Sequence, residues 1–240
     1  MARAGLGASE SMRSKLAEYN DPRLSRAFIT KQGTSGKEQA PGTADNAVYA
    51  PNGTPEQGTS KYGTSLFMYS ISAPTLLLSY HELKFLEAEA LCRLERDAKS
   101  ALKDAVVAGL LNAENSFTIS RKELGKTLIN AASSITEAEA ESYFDNTIEA
   151  KYTAEPLKTT MTQKYFALWG ASGEATESYN DVRRMKGLGE NFIELKNPNS
   201  FPLRCPYGNS DTTTNAEVKA AYGNGQYVYS ENVWWAGGSR

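Results

Sequence analysis

Along Leu76–Leu111 the apolar positions fall on two helical lines at once. Leu83, Leu86, Ala90 and Leu94 recur at spacings of three and four, while Phe85, Ala88 and Cys92 form a second line on the same segment. After a turn at Arg96–Asp97 come Ala98, Ala101, Leu102, Ala105, Val106 and Gly109, small residues that let a second helix approach the first closely. The pattern predicts one helical hairpin over 76–111 with the texture of a repeat protein, in which each unit buries its faces against neighbouring units. A helix that is apolar on two faces is expected to be covered on two sides.

The same reading places further elements on either side. Ser11–Tyr19 reads as a short helix ended by Asn20-Asp21-Pro22, because the residue before a proline is pushed out of helical space. Residues 32–75 form a long loop region, and Gln32–Tyr62 within it is rich in Gly, Pro, Thr and Ser without periodicity. A loop of that length is either a binding surface or a plain crossing, and both readings stand. A connector over Asn112–Ile135 precedes Thr136 and Glu139, the signature of a capping box. The helix that follows carries Ala140, Tyr143, Phe144, Thr147 and Ile148 and stops before Pro156. Leu157–Trp169 aligns Leu157, Met161, Tyr165 and Leu168, and Ser178–Lys186 is a shorter helix closed by Gly187. Turn residues dominate 187–240, which reads as a mostly coil tail. The expected fold is mainly α, a single domain over 1–240 in which a tetratricopeptide-like hairpin and further helices carry long irregular loops.

Composition narrows the function classes. The 240 residues are 40% hydrophobic and 22% charged, ordinary for a globular protein able to bury a real core. With 26 basic and 28 acidic residues the net charge is −2, so no overall field draws the chain to nucleic acid. The longest strongly apolar run falls well short of the ~20 residues that a membrane-crossing helix needs, and Met1–Leu16 lacks the apolar centre of a signal peptide. Cys92 and Cys205 support neither a disulfide framework nor a zinc site, and Cys92 reads as a small buried hydrophobe.

A search for catalytic chemistry gives little. His81 is the only histidine, so a histidine triad or a multi-histidine metal centre has no partners to draw on, and a structural role fits it better. Gly33-Thr34-Ser35-Gly36-Lys37 lacks the first glycine of a phosphate loop and has Glu38 where a magnesium-binding hydroxyl belongs. Neither Ser65 nor Ser172 sits in a nucleophile elbow. Glu82, Glu87, Glu89, Glu137, Glu139 and Glu141 are expected on solvated helix surface, although two facing carboxylates would suffice for a glycosidase. Asp211 with Asn209 and Asn215 offers oxygen ligands without EF-hand spacing. Arg183-Arg184 could clamp an anion, but with Asp181 and helical glutamates it reads better as a structural tie. No catalytic residue, metal site or cofactor is assigned. The remaining chemistry is aromatic: Tyr49, Tyr62, Phe67 and Tyr69 stand near Asn46 and Asn52, a composition suited to stacking on sugar rings while amides take hydroxyl hydrogen bonds.

Several blocks together resemble the SusD/RagB family of nutrient-binding outer-membrane lipoproteins. Tyr19-Asn20-Asp21-Pro22-Arg23-Leu24 is similar to its "NDPRL" element, and Ser79–Ala90 to its "SYAE-x-x-FL-x-AEA" helix, the first of a tetratricopeptide-like unit. Gln163–Leu168 resembles the "QKY-x-AL" helix, and Tyr179–Arg184 the "W-x-(D/E)-x-RR" helix with Tyr179 in place of Trp. Phe201–Tyr207 with Asn215 resembles a "P-x-R-x-x-YP…N" segment, except that Pro206 precedes Tyr207. The likeness runs from about Ser11 to Trp235 and matches the C-terminal half of a full-length member without the family's signal peptide, lipid-bearing cysteine and earlier repeats, which implies a truncated C-terminal portion, a processed fragment or a naturally shortened paralogue. It implies a non-enzymatic, cell-surface-facing lipoprotein of the outer membrane. Such a protein binds an oligosaccharide or other nutrient and delivers it to a SusC-like TonB-dependent transporter. It also implies that ligand contacts come from the loops before the repeat, here Thr43–Tyr69. Two alternatives remain from the residues themselves, a repeat-type protein adaptor without a small ligand and an α-helical glycoside hydrolase.

Overall fold

A computed structural model describes residues 8–29, 38–39, 49–53, 62–69, 72–124, 128–129, 133–196 and 200–238. The chain divides into two compact units, 1–196 and 197–240.

The first unit opens with α1 (Glu10–Glu18), whose N-cap Ser9 accepts the N–H of Met12 at 3.2 Å. Asn52 reinforces this start, its Oδ1 taking the Ser9 hydroxyl at 3.1 Å and the Ser11 N–H at 3.3 Å. Asn20, at φ 49°, ends the helix and aims Asp21 inward. Asp21 caps a single 3-10 turn (Pro22–Ser25) and pairs with Arg23 at 2.6 Å, their side chains 0% and 2% exposed. Among the described residues four two-residue strands follow: β1 (Phe28–Ile29), β2 (Glu38–Gln39), β3 (Thr64–Ser65) and β4 (Leu128–Ile129). β1 pairs antiparallel with β3, setting Phe28 opposite Ser65, and β2 pairs parallel with β4. A second 3-10 turn, Leu66–Tyr69, continues from β3.

The predicted hairpin is formed by α2 (Tyr80–Arg93) and α3 (Lys99–Leu124). α3 does not stop at Leu111. Leu110, Ala113, Phe117 and Ser120 stay buried at spacings of three and four, so the helical face persists through much of the expected connector. α4 (Glu137–Tyr143) starts on the capping box of Thr136 and Glu139, passes through a π turn (Phe144–Ile148) and resumes as α5 (Glu149–Ala154). α6 (Pro156–Leu168) runs through the centre, with residues 159–164 and 166–168 buried. Its threonines return their hydroxyls to the preceding turn, Thr160 to the Pro156 carbonyl at 2.9 Å and Thr162 to the Lys158 carbonyl at 2.8 Å. α3 crosses α6 closely at Gly109, where an added Cβ would lie 3.0 Å from that of Ala167. α7 (Glu177–Gly187) completes the unit.

The second unit contains α8 (Asn209–Thr214), α9 (Ala216–Tyr222) and a 3-10 turn at Trp234–Ala236. Tyr207 stacks on Tyr222 with centroids 4.5 Å apart. Asn215, a conceivable calcium ligand by sequence, is the N-cap of α9 and accepts from the N–H groups of Glu217 and Val218.

Among the described residues only one of the two apolar lines of α2 is buried. Phe85 and Ala88 are fully covered, but Leu83, Leu86 and Leu94 are 51%, 42% and 62% exposed, with Leu77 and Leu78 more open still. Covering on both sides is therefore not achieved within the described residues: α3 and α6 take one face of α2, and the other remains an apolar strip.

Two outcomes follow. The strip should drive association of the isolated chain, and Leu83→Glu with Leu86→Glu should weaken it at least about tenfold while leaving the helical signal unchanged, since each covered leucine contributes about 1.5–3 kcal/mol. Sedimentation velocity over a concentration series reads this. Asp21→Ala should destabilise the fold by about 3–5 kcal/mol, because it strands a buried guanidinium, as urea unfolding would measure.

Candidate functional site

Five aromatic rings from separate parts of the first unit form one row. The Tyr49 ring meets Phe28 edge-on at 5.4 Å, Phe28 lies 5.2 Å from Trp169, Trp169 meets Phe67 at 5.0 Å, and Phe67 lies 4.8 Å from Phe117. Each ring arrives for a local reason. β1 pairing sets Phe28, the C-cap of α6 supplies Trp169, and the 3-10 turn after β3 supplies Phe67. Gly170, at φ +79°, leaves the space that Phe67 fills, since a Cβ there would lie 2.3 Å from the ring. Phe28 and Phe117 are fully buried, whereas Tyr49, Phe67 and Trp169 are half-buried. The guanidinium of Arg13 stands 5.6 Å from the Tyr49 ring centre, and burial raises the Tyr49 phenol above its usual value with Arg13 opposing.

The row joins two of the residues expected from sequence, Tyr49 and Phe67. Tyr62 is buried just before β3, beside Gly63, whose carbonyl accepts the Ala8 N–H at 2.8 Å. Tyr69 ends the second 3-10 turn, and its side chain lies outside the described residues, as does Asn46 entirely. Sequence reading missed Phe28 and Trp169. The available signal for Trp169 was Gly170 directly after a helix, a stop that turns the last side chain across the neighbouring segment.

A second concavity lies between α2, α6 and α7. It encloses about 520 Å³, with Leu86 and Ala90 giving an apolar strip and charged groups from all three helices around it. Glu89 receives Arg93 at 2.7 Å and both terminal nitrogens of Arg184, one of them at 2.8 Å. Arg184 also bonds Asp181 at 2.8 Å, Asp181 takes the buried Lys164 at 2.8 Å, and Arg93 reaches Glu190 at 2.8 Å. Burial pushes the Glu89 carboxyl up, yet the hydrogen bonds from Arg184 and Arg93 outweigh it and hold the group below its ordinary value. The Arg184 tie read from sequence thus exists, with Glu89 as its partner. Glu82 and Glu89 were expected on solvated surface and are instead 7% and 5% exposed. Separated by seven residues, they share the face of α2 turned toward α7. His81 is buried, as a structural histidine would be.

A mainly α protein with a repeat-type hairpin, an aromatic row and a charge-paired groove is the class defined by this geometry. Residues 2–207 match the SusD-like family described as "starch-binding associating with outer membrane". A SusD/RagB family protein of Bacteroides thetaiotaomicron has a similar structure, with 64% identity and a TM-score of 0.88, covering 99% of this chain and 51% of that one. The chain belongs to the SusD/RagB family. A SusD homologue of Bacteroides fragilis (19% identity, TM-score 0.57, covering 90% of this chain and 49% of that one) shares the fold. So does a chitin-binding protein (20% identity, TM-score 0.56, covering 95% of this chain and 49% of that one). The chain thus spans about half the length of these structures. No curated protein sequence matches it.

Gly170→Ala should break the aromatic row. It forces Phe67 to move and strains a left-handed position, costing about 1–3 kcal/mol. Near-ultraviolet circular dichroism and thermal unfolding should both register the change.

Proposed function

We propose that this chain forms part of a non-enzymatic nutrient-binding protein facing outward from the outer membrane, with an oligosaccharide as ligand and a SusC-like TonB-dependent transporter as the receiving partner. Membership in a family described as starch-binding and outer-membrane-associated carries the reading. Among the described residues no helix is long and apolar enough to cross a membrane, so attachment through the lipid anchor implied by the family fits the reading. The chitin-binding protein of the same fold is consistent with a saccharide ligand.

The ligand-contacting set proposed for this chain is Tyr49, Tyr62, Phe67, Tyr69 and Asn46. Within it Tyr49 is the stacking residue, since it keeps part of its ring open while Phe28 holds it edge-on from behind. Phe67 joins the same row through Trp169 and Phe28. The carboxylates of the α2–α7 groove suit a structural role better than glycoside hydrolysis, because Glu89 is clasped by two arginines instead of facing a second carboxyl group across open space. A second reading, an adaptor for a protein partner, draws on the exposed strip of Leu83, Leu86 and Leu94.

Calorimetric titration with starch and chitin oligosaccharides tests the proposal. Binding is expected to weaken about tenfold in Tyr49→Ala, the scale of one lost stacking contact, with the melting temperature little changed. Absence of heat for every oligosaccharide, together with co-purification of a soluble protein in place of a transporter, would favour the adaptor.

A further inference from the structure

Around the end of α3 the buried positive charge exceeds what the described carboxylates balance. Arg26, buried at the close of the first 3-10 turn, donates Nε to Glu114 at 2.9 Å and a terminal nitrogen to the other carboxylate oxygen. Glu114 also accepts the Ile135 N–H at 3.2 Å and the Thr118 hydroxyl at 3.3 Å, so its lone-pair positions are all taken. Arg121, two turns beyond Glu114 on the same face of α3, comes to this cluster without a carboxylate of its own. Among the described residues its side chain makes one hydrogen bond, from a terminal nitrogen to the Arg26 carbonyl at 3.5 Å, and its Nε is buried with no acceptor. The rest of the half-buried side chain is open to water.

The neighbouring acids are committed elsewhere. Glu123, on the next turn edge of α3, accepts the Ser72 N–H at 2.8 Å and the Ser72 hydroxyl, and Glu139 is turned back on Thr136 in the capping box. Loss of hydration and the adjacent Arg26 push the Arg121 pKa from 12.5 down to about 10, with Glu114 opposing. The guanidinium is therefore charged at neutral pH and has no counter-ion within the cluster. A buried charge is ordinarily paired or bound to an ion, and a guanidinium offers a planar fork that matches two oxygens of an oxyanion. Arg121 also lies one turn after Phe117 on the same face, at the inner end of the aromatic row. Ser120 fixes that junction, its hydroxyl donating to the Leu66 carbonyl beside Phe67 at 2.6 Å.

We propose that Arg121 is an oxyanion-binding residue that takes a carboxylate or sulfate group on its guanidinium fork at the Phe117 end of the aromatic row. With that group in place the cluster holds two cations and two anions, and the Arg121 donors have acceptors. The Ser134 hydroxyl, 3.4 Å from a terminal nitrogen of Arg26, brings a further donor to the same cluster. The carrier of the group rests on the saccharide reading given above: it is an acidic sugar of the bound chain. A free inorganic anion offers the same oxygens to Arg121, and the two sources separate because only the sugar adds contacts beyond the anion itself.

Proton–nitrogen NMR of the Arg121 Nε–H tests the site on the full chain, titrated with sodium sulfate at an ionic strength held constant with sodium chloride, and separately with an oligogalacturonate. Both probes should shift that resonance saturably, and Arg121→Gln should weaken each at least about tenfold, the scale of one charge-assisted contact. If that variant fails to fold, Arg121→Lys, which keeps the charge without the fork, should weaken the oligogalacturonate at least about fivefold. Oligogalacturonate binding about tenfold tighter than sulfate supports the sugar as carrier, whereas equal affinities overturn that carrier and keep the oxyanion site. Neutral starch and chitin oligosaccharides that give no heat, while sulfate still shifts Arg121, would sink the saccharide reading alone. A resonance unmoved by both probes, or undiminished affinity in the variant, would overturn the site itself.

Discussion

The buried ion pair of Asp21 and Arg23 is the interaction on which the arrangement of the first unit depends. Both side chains are withdrawn from water, which is unfavourable unless every polar group finds a partner. Here they do. Asp21 takes three hydrogen bonds from its neighbour, at the Arg23 backbone N–H, Nε and a terminal nitrogen, and a fourth from the Tyr143 hydroxyl at 3.3 Å. Arg23 spends its remaining reach on the Phe166 carbonyl of α6 at 2.7 Å, with its guanidinium 5.8 Å from the Phe166 ring centre. Two residues adjacent to a proline thus connect the turn after α1 with α4 and α6. The rings of Tyr19 and Phe166 close the same junction edge-on at 5.3 Å.

From that junction α6 becomes a shared wall. It is buried along most of its length: Thr160 and Thr162 turn their hydroxyls to the preceding turn, Ala167 sits where α3 crosses, and Lys164 is paired with Asp181. α2 leans on one side of it and α7 on another, and the space between those two helices is closed by ion pairs instead of apolar side chains. A groove walled by Glu89, Arg184, Asp181 and Lys164 carries little net charge, because each group is neutralised by the next.

Much of the helical framework was legible in the sequence because periodicity and capping are local. Thr136 with Glu139, Asn20 before Asp21-Pro22, and the spacing of Leu157, Met161, Tyr165 and Leu168 each signal an element without reference to anything distant. The candidate site was far less legible. Tyr49 and Phe67 could be picked for composition, but Phe28 and Trp169, which bring those two rings together, lie 21 and 102 residues away from Tyr49 and Phe67 respectively. Glu82 and Glu89 looked like solvated surface because a glutamate on an alanine-rich helix usually is. Glu89 is held by Arg184, a residue on another element that the α2 sequence does not mention.

By itself, then, the chain's sequence determined that α1 ends before Pro22 and that α4 starts at its capping box, which family the ordered motifs resemble, and that α2 carries two apolar lines. Those properties depend on neighbours within a turn or two, or on the order of motifs. Only the tertiary structure decided which line is covered, that Asp21 and Arg23 pair in the interior, and that Glu174 comes to Ser79 and His81 at one helix start. Burial and ion pairing are set by what packs across space. A glutamate such as Glu89 is a solvated anion or a buried one held by arginines according to the element placed against it.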